Sequence, residues 1–255
     1  MSGDENSPVA VMDRVSILLE AFSDSERLTL SELSRRTGFP RSSTHRMLVQ
    51  LVRLQWVRRR GQAYELGMKM FELGSLALHH DSVHRAALPI MHQLHATTGL
   101  VVHLGVLTGS EVLYLERIGS RFAMSLPSRV GARQPAAFTA VGKAILAGIG
   151  ADPEELAAEA PNQATPHSIS DPEQLRREFA RIRERSVAQD RDEAVVGASC
   201  VAAAIGNGRT TVGAISVCGP TDKINTAALV APVRMAALAT WRHIAEQRPP
   251  RDIPA

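Results

Sequence analysis

The stretch Thr29-Leu30-Ser31-Glu32-Leu33-Ser34-Arg35-Arg36-Thr37-Gly38-Phe39-Pro40-Arg41-Ser42-Ser43-Thr44-His45-Arg46-Met47-Leu48 decides how this chain is read. Thr29 and Glu32 stand at capping-box spacing, in which the threonine hydroxyl accepts from the Glu32 amide while the glutamate reaches back to the Thr29 amide. A short helix starts there. Gly38 stops it, because a sharp or left-handed turn is easiest without a Cβ, and residues 40–43 read as the first turn of a second helix. On that second helix Met47, Leu48, Leu51 and Leu54 form one apolar stripe, leaving Arg41, Ser42, Ser43, His45 and Arg46 at its start and outer side. Two short helices joined by a tight glycine turn, the second with a free basic end, make a helix-turn-helix.

Outward from it, Trp56-Val57-Arg58-Arg59-Arg60-Gly61-Gln62-Ala63-Tyr64-Glu65-Leu66 reads as a strand, a basic turn at Gly61 and a returning strand, the hairpin wing of a winged helix. Residues 27–60 hold nine arginines, one glutamate and no lysine, a net +8 in a chain whose total is +3, which leaves the remainder near −5. Arginine suits bidentate contact with phosphate and guanine. Ser42, Ser43 and Thr44 permit close approach at the helix start. The candidate duplex-DNA contacts are therefore Arg41, Ser42, Ser43, His45 and Arg46 in the groove, Thr29 at the start of the preceding helix, and Arg58, Arg59 and Arg60 on the backbone. Two blander readings stand beside this one: a solvated arginine face, and a protein-interaction module whose arginines meet acidic partners.

The chain has 255 residues, enough for two modest domains with separate cores. Ten aromatic residues are too few for a single-stranded nucleic-acid binder built on stacking platforms, so duplex DNA fits better. Residues 1–8 are expected to be a disordered leader. They contain no apolar signal core, and no run of about 18 apolar residues follows, so no membrane span is expected and the cytoplasm is the expected location. The two cysteines, Cys200 and Cys218, are too few for a disulfide scaffold and lack zinc-ligand spacing.

Val11, Val15, Leu18, Leu19 and Phe22 predict a first helix that ends at residues 23–25. After the wing, a helical connector is expected from residue 68 to residue 94, bent near Pro89. His80 and His84 lie four apart on one of its faces, a spacing able to bind zinc or nickel. With His79, His92 and His95 they are read as surface or interface histidines, and no metal or cofactor is expected. Residues 100–107 and 111–118 predict a β-hairpin and residues 121–126 a third strand. Thr139 is the candidate cap of a small-residue helix, and helices start near residues 152 and 170, the latter through a Ser170–Glu173 capping box leading to residue 186. Residues 200–205 and 210–220 predict a second hairpin, and a final helix over 226–246 turns Leu229, Val233, Ala237, Trp241 and Ile244 inward. The expected class is α+β: a winged helix-turn-helix domain over 9–74, a linker helix over 75–88, an α/β effector-binding domain over 89–248 on a curved, mainly antiparallel sheet, and a tail over 249–255.

No nucleophile elbow, phosphate-binding glycine loop or zinc-ligand set occurs in the second domain, and a lone cysteine is more often a small buried hydrophobe than a nucleophile. An enzyme with an appended helix-turn-helix is the minority reading.

These residues resemble the IclR-type bacterial transcriptional regulators. The resemblance is carried by residues 30–48 with Trp56-Val57 and Tyr64-Glu65-Leu66-Gly67, and it continues through Val130-Gly131, Thr139-Ala140-Val141-Gly142-Lys143-Ala144, Asp190 with Asp192-Glu193, Gly197-Ala198-Ser199-Cys200-Val201-Ala202-Ala203 and Val212-Gly213-Ala214-Ile215-Ser216-Val217-Cys218-Gly219-Pro220. It implies a DNA-binding domain joined, by a helix that contributes to dimer contacts, to a GAF/profilin-like effector-binding domain. The partners it implies are double-stranded DNA with a roughly palindromic operator, a small-molecule effector, and a second copy of the chain as a homodimer or dimer of dimers, with no membrane. Carried over by position, the effector pocket is bordered by Met124, Leu126, Ala140, Val141, Asp190, Cys200, Ser216 and Cys218. Amides at the start of the Thr139 helix and the Ser216 hydroxyl would hold a carboxylate, while Met124, Leu126 and Val141 enclose an apolar tail. Asp190 widens the choice, since two close carboxylates repel unless one is protonated or a hydroxyl or amine lies between them. A hydroxy acid, an amide-like or hydrazide-like compound or a neutral aromatic fits as well. The blander reading makes Cys200, Ser216 and Cys218 small inward strand residues. Two positions depart from the family's pattern: Ala204, where a proline often follows the Cys-x-Ala-Ala run, and Cys218, where serine is frequent.

Overall fold

The computed structural model describes residues 8–119, 121–159 and 163–247. The expected leader, apart from Pro8, and the expected tail lie outside the described residues. The chain divides into two units, one up to Leu78 and one from His79 onward.

The first unit contains α1 (Pro8–Glu20), β1 (Leu28–Thr29), α2 (Leu30–Thr37), α3 (Arg41–Arg53), β2 (Val57–Arg60) and β3 (Ala63–Leu66). Every one of these elements contributes to its core: Leu18, Leu28, Leu33, Leu48, Leu51, Val57 and Tyr64 are buried together with Phe22 from the turn after α1. Both halves of the capping box form. Thr29 Oγ1 accepts from the Glu32 amide at 3.3 Å and Glu32 Oε2 accepts from the Thr29 amide at 2.7 Å. Gly38 ends α2 at φ +71°, a left-handed conformation that costs glycine little. The apolar stripe of α3 is shorter than its sequence suggests: Met47 is half-buried and Leu54, just past the helix, is 54% exposed. The three strands pair in the order β1-β3-β2. Gly61, at φ +62°, takes the first position of the two-residue wing turn, where type II′ geometry requires glycine. The two-residue β1 is too short for alternation to reveal.

After the wing come α4 (Met68–His80) and α5 (Ser82–Thr98). The connector thus breaks at Asp81 and not at Pro89, which stays inside α5. Asp81 leaves helical backbone, and its Oδ1 accepts from the His84 amide at 2.7 Å, which caps α5. His80 and His84 consequently belong to different helices and do not share the face expected of them.

The second unit continues with β4 (Val101–Thr108), β5 (Glu111–Ile118), β6 (Arg133–Pro135), α6 (Ala140–Ile149), α7 (Pro153–Glu159), α8 (Pro172–Arg185), β7 (Ala188–Arg191), β8 (Ala198–Gly206), β9 (Thr211–Pro220) and α9 (Thr226–Glu246). Its six strands form one antiparallel sheet in the order β6-β5-β4-β9-β8-β7, so the two hairpins lie side by side. Register shifts at Leu104/Gly105 and Ile205/Gly206 curve it, as bulges do. One face, with Val102, Leu104, Val201 and Val217, packs on α5 and α9. The other, with Val112, Ala202 and Ala214, packs on α6 and α8. Burial on both faces explains why the central strands read as continuous apolar runs. From α9, Leu229, Val233, Ala237 and Ile244 point inward, and Trp241 is half-buried.

Two local expectations fail here. Residues 121–126 form no strand: Arg121–Ser125 is a 3₁₀ turn, and β6 takes the place beside β5. The Arg117 guanidinium donates to the carbonyls of Ala123 at 2.7 Å and Leu126 at 3.4 Å, satisfying them without a ladder. The cap of α8 is Asp171, accepting from the Gln174 amide at 2.9 Å, because Pro172 takes the first helical position and fixes the cap at the residue before it. Ser170 Oγ instead accepts from Gln163 at 2.9 Å. Among the described residues no helix is long and apolar enough to cross a membrane.

Candidate nucleic-acid interface and small-molecule cavity

The solvent face of α3 carries Arg41, Ser42, His45, Arg46, Val49 and Arg53, all exposed. Arg41 is tied to α2 by a 2.8 Å bond to Ser31 Oγ. Ser43 is half-buried, and its hydroxyl accepts from Arg14, whose guanidinium also lies 4.8 Å from the Phe39 ring centre. Thr44 is fully buried and bonded back to the Pro40 carbonyl, so it belongs to the helix interior and not to the approach surface expected from sequence. Thr29 has its hydroxyl engaged in the cap of α2. Ser42, His45 and Arg46 make no side-chain bond among the described residues.

The wing arginines have internal partners. Arg58 and Arg60 converge on Glu65, which also accepts from Arg27; the Arg60 Nε to Glu65 Oε1 distance is 2.6 Å. Burial pushes the Glu65 carboxyl up, but the hydrogen bond from Arg60 and the charges of Arg58 and Arg60 outweigh it and hold the group below the usual carboxylate range. Arg59 lies over the Tyr64 ring at 5.9 Å and donates to the Gly61 carbonyl. Half or more of the Arg58 and Arg60 side chains is still exposed.

In the second unit, side chains from all six strands and the start of α6 line a cavity of about 30 Å³. The strand registers explain the clustering: Asp190, Cys200 and Cys218 stand opposite one another across β7, β8 and β9, and Ser216 stands opposite His103 two residues along. The first turn of α6 covers them with Ala140 and Val141, and residues 126–128 close one side. Thr139 Oγ1 caps α6 by accepting from the Gly142 amide at 2.9 Å.

The cavity's polar groups are mostly neutral. His103 Nε2 lies 2.8 Å from Ser128 Oγ and its Nδ1 lies 3.4 Å from Ser216 Oγ. Burial, then the Arg117 charge, pushes His103 down to about 3, so it is neutral at physiological pH. The Tyr114 hydroxyl donates to Gln134 at 3.1 Å, and burial raises its pKa well above the usual tyrosine value. Asp190 accepts from the Glu193 amide at 2.8 Å, yet burial lifts its carboxyl to about 7. Beside it the fully buried Lys143 donates to Glu193 Oε1 at 2.6 Å, while Glu193 Oε2 has no partner among the described residues. Burial raises the Glu193 pKa as well.

Seven of the eight residues expected at a pocket line this cavity: Leu126, Ala140, Val141, Asp190, Cys200, Ser216 and Cys218. Met124 does not. It lies in the 3₁₀ turn, 84% exposed, because a turn in place of a strand rotates it outward. Sequence reasoning missed His103, Tyr114, Ser128 and Gln134; a histidine inside the apolar run of residues 101–107 was the available signal. A larger open trough of about 660 Å³, bordered by α8 and α9, is lined by small and apolar residues with Arg183 and Arg234 and contains none of the expected residues.

Comparison with known proteins follows this division. The model of the IclR helix-turn-helix domain matches residues 11–61, and that of the bacterial transcriptional regulator IclR C-terminal region matches residues 75–243. The chain belongs to the IclR family. Members of the IclR family are DNA-binding transcriptional regulators and not enzymes. The chain is 31% identical over 191 residues to the HTH-type transcriptional regulator KdgR of Dickeya chrysanthemi, covering 72% of this chain and 62% of that relative. It is 29% identical over 224 residues to XynR of Escherichia coli K12, covering 86% and 89%. An IclR homologue from Microbacterium hydrocarbonoxydans, solved in complex with 4-hydroxybenzoate, is similar with a TM-score of 0.83 at 28% identity, over 92% of this chain and 99% of that one.

In this IclR-family chain two connector histidines have structural partners. His84 is buried with Nε2 3.0 Å from Glu116 Oε2 of the same chain, in place of the surface or interface position expected for it, and His95 Nδ1 lies 2.7 Å from the Leu100 carbonyl. Among the described residues no group of three or more His, Cys, Asp or Glu side chains is arranged to hold a metal ion.

Proposed function

We propose that this chain is a cytoplasmic, ligand-responsive regulator that binds a roughly palindromic operator as a homodimer, or a dimer of dimers, and controls a catabolic operon. The carrying observation is the outer face of α3, where Ser42, His45 and Arg46 are exposed and make no side-chain bond among the described residues. A recognition helix reads the major groove with such residues. Arg41, Ser43 and Thr29 support it from the same edge, and Arg58, Arg59 and Arg60 meet the phosphates with the guanidinium donors their internal partners leave over. Dimerisation is supported by α4, which buries none of its residues while Met68, Phe71, Leu73 and Leu76 are 43–66% exposed. In this reading residues 9–74 are the DNA-binding domain, 75–88 the linker and 89–248 the effector domain.

The effector is a small organic molecule: a carboxylic acid, an amide or hydrazide, or an aromatic. The first amides of α6 and the Ser216 hydroxyl suit a carboxylate, and the neutral His103 and Tyr114 suit a hydroxyl. The 4-hydroxybenzoate bound by the Microbacterium relative has both groups. A cavity of about 30 Å³ holds roughly one water, so any such ligand needs the wall to move. That opening is where ligand and DNA affinity become linked, provided the ligand binds the two arrangements unequally. The test is a gel-shift titration of the chain's own upstream promoter against random duplex, with and without 4-hydroxybenzoate and related acids and amides. Preference for the promoter, altered by one of these compounds, is expected. Equal affinity for both duplexes under every condition would sink the reading.

A further inference from the structure

We propose that Cys200 and Cys218 form a dithiol reaction site that hydrogen peroxide oxidises to a disulfide across the floor of the cavity. They are the chain's two cysteines, and both are free thiols here. The β8–β9 register sets them directly opposite each other. Opposed residues of an antiparallel pair have Cα atoms about 4.5–5.5 Å apart, inside the roughly 4.4–6.8 Å that a disulfide spans. Both side chains face the same cavity. Cys200 is the more accessible, while Cys218 is 1% exposed. No third His, Cys, Asp or Glu among the described residues completes a metal set with them.

The cavity selects the oxidant. Space for roughly one water admits hydrogen peroxide, which is small and neutral, and excludes a bulky charged disulfide such as oxidised glutathione. In the first step the Cys200 thiolate attacks one peroxide oxygen, the O–O bond breaks, and hydroxide leaves as water with the proton the thiol released, giving a sulfenic acid. In the second, the Cys218 sulfur attacks the Cys200 sulfur, the S–O bond breaks, and hydroxide leaves with the Cys218 proton as a second water. Two thiols and one peroxide become one disulfide and two waters. The neighbouring Cys218 thiol and burial raise the Cys200 pKa well above the usual thiol value, so little thiolate forms at neutral pH. Oxidation is accordingly slow there and accelerates about tenfold per pH unit on the alkaline side. The disulfide would pin β8 to β9 between Asp190 and Ser216. Its effect on ligand uptake rests on the effector reading above; its formation does not.

The test uses the full chain, reduced, exposed to hydrogen peroxide at mildly alkaline pH, then denatured, alkylated and weighed intact. A mass lower by two hydrogens, loss of both alkylation sites, a cross-linked peptide pair joining Cys200 to Cys218, and reversal by dithiothreitol are expected. Oxidised glutathione should leave the folded chain unmodified, and Cys218→Ser should yield no loss of two hydrogens. Two alkylatable thiols after treatment, sulfinic acid without the cross-link, or a chain-to-chain disulfide would each overturn the proposal. The mass readout is blind to effector binding, so its failure leaves the effector reading standing, and a failed promoter titration leaves this one standing.

Discussion

Arg46 and Arg58 carry the same charge and face different tasks. Arg46 is exposed on α3 with no side-chain partner among the described residues, whereas Arg58 shares Glu65 with Arg27 and Arg60. Arg46→Ala should weaken specific duplex binding by about 1 to 3 kcal/mol if it reads a guanine, Arg41→Ala by a similar amount, and Arg58→Ala by less. A gel-shift titration giving wild-type affinity for both α3 variants would reject this assignment. Asp190 makes a second residue-scale prediction. Its carboxyl titrates near 3.8 in the unfolded chain and near 7 in the fold. Between those values the native state keeps a proton the unfolded chain has lost, so stability is full below the lower value and falls as pH rises through the upper, by up to about 1.4 kcal/mol per pH unit. Asp190→Asn cannot titrate and keeps the Oδ1 acceptor for the Glu193 amide. Urea unfolding across this range should show wild type losing stability relative to the variant as pH rises; parallel curves would exclude it. The residue types of both sites were legible in the sequence. The engagement of Ser43 by Arg14, the burial of Thr44 and the convergence of Arg27, Arg58 and Arg60 on Glu65 were not, because each depends on how the elements pair and pack.

At the scale of single elements, the first turn of α6 links stability to the cavity. Thr139 caps it, and Gly142 lies so close to residue 136 that an added Cβ would sit 2.1 Å from the Ala136 carbonyl oxygen. Thr139→Ala should cost about 1 kcal/mol, as lost N-caps do. Gly142→Ala should cost more, since backbone has to shift to admit the methyl group. Chemical unfolding of both variants checks the order, and Gly142→Ala as stable as wild type would contradict the packing. This cap was readable in advance because a threonine before a small-residue helix is a local signal. The turn at residues 121–125 was not, because it depends on the guanidinium of Arg117 from the neighbouring strand, and with it went the inward placement of Met124.

For the molecule as a whole, the consequence of a cavity in the effector domain is a coupling between ligand and stability. A ligand at a hundred times its dissociation constant adds about 2.7 kcal/mol to the state that binds it. In thermal unfolding of the full chain, 4-hydroxybenzoate or a related acid, amide or aromatic should raise the midpoint, and the rise should vanish when a bulky residue replaces Ala140 at the cavity wall. A rise unaffected by that change would place the ligand elsewhere. The sequence by itself determined the winged helix-turn-helix, both hairpins of the second unit and its final helix, because caps, glycine turns and apolar periodicity act within a few residues. Only the tertiary structure decided which arginines are left free, which side chains share the cavity, and that Cys200 faces Cys218. Those outcomes are fixed by strand register and by contacts across up to a hundred residues or more of chain, such as His103 with Ser216, which no local pattern encodes.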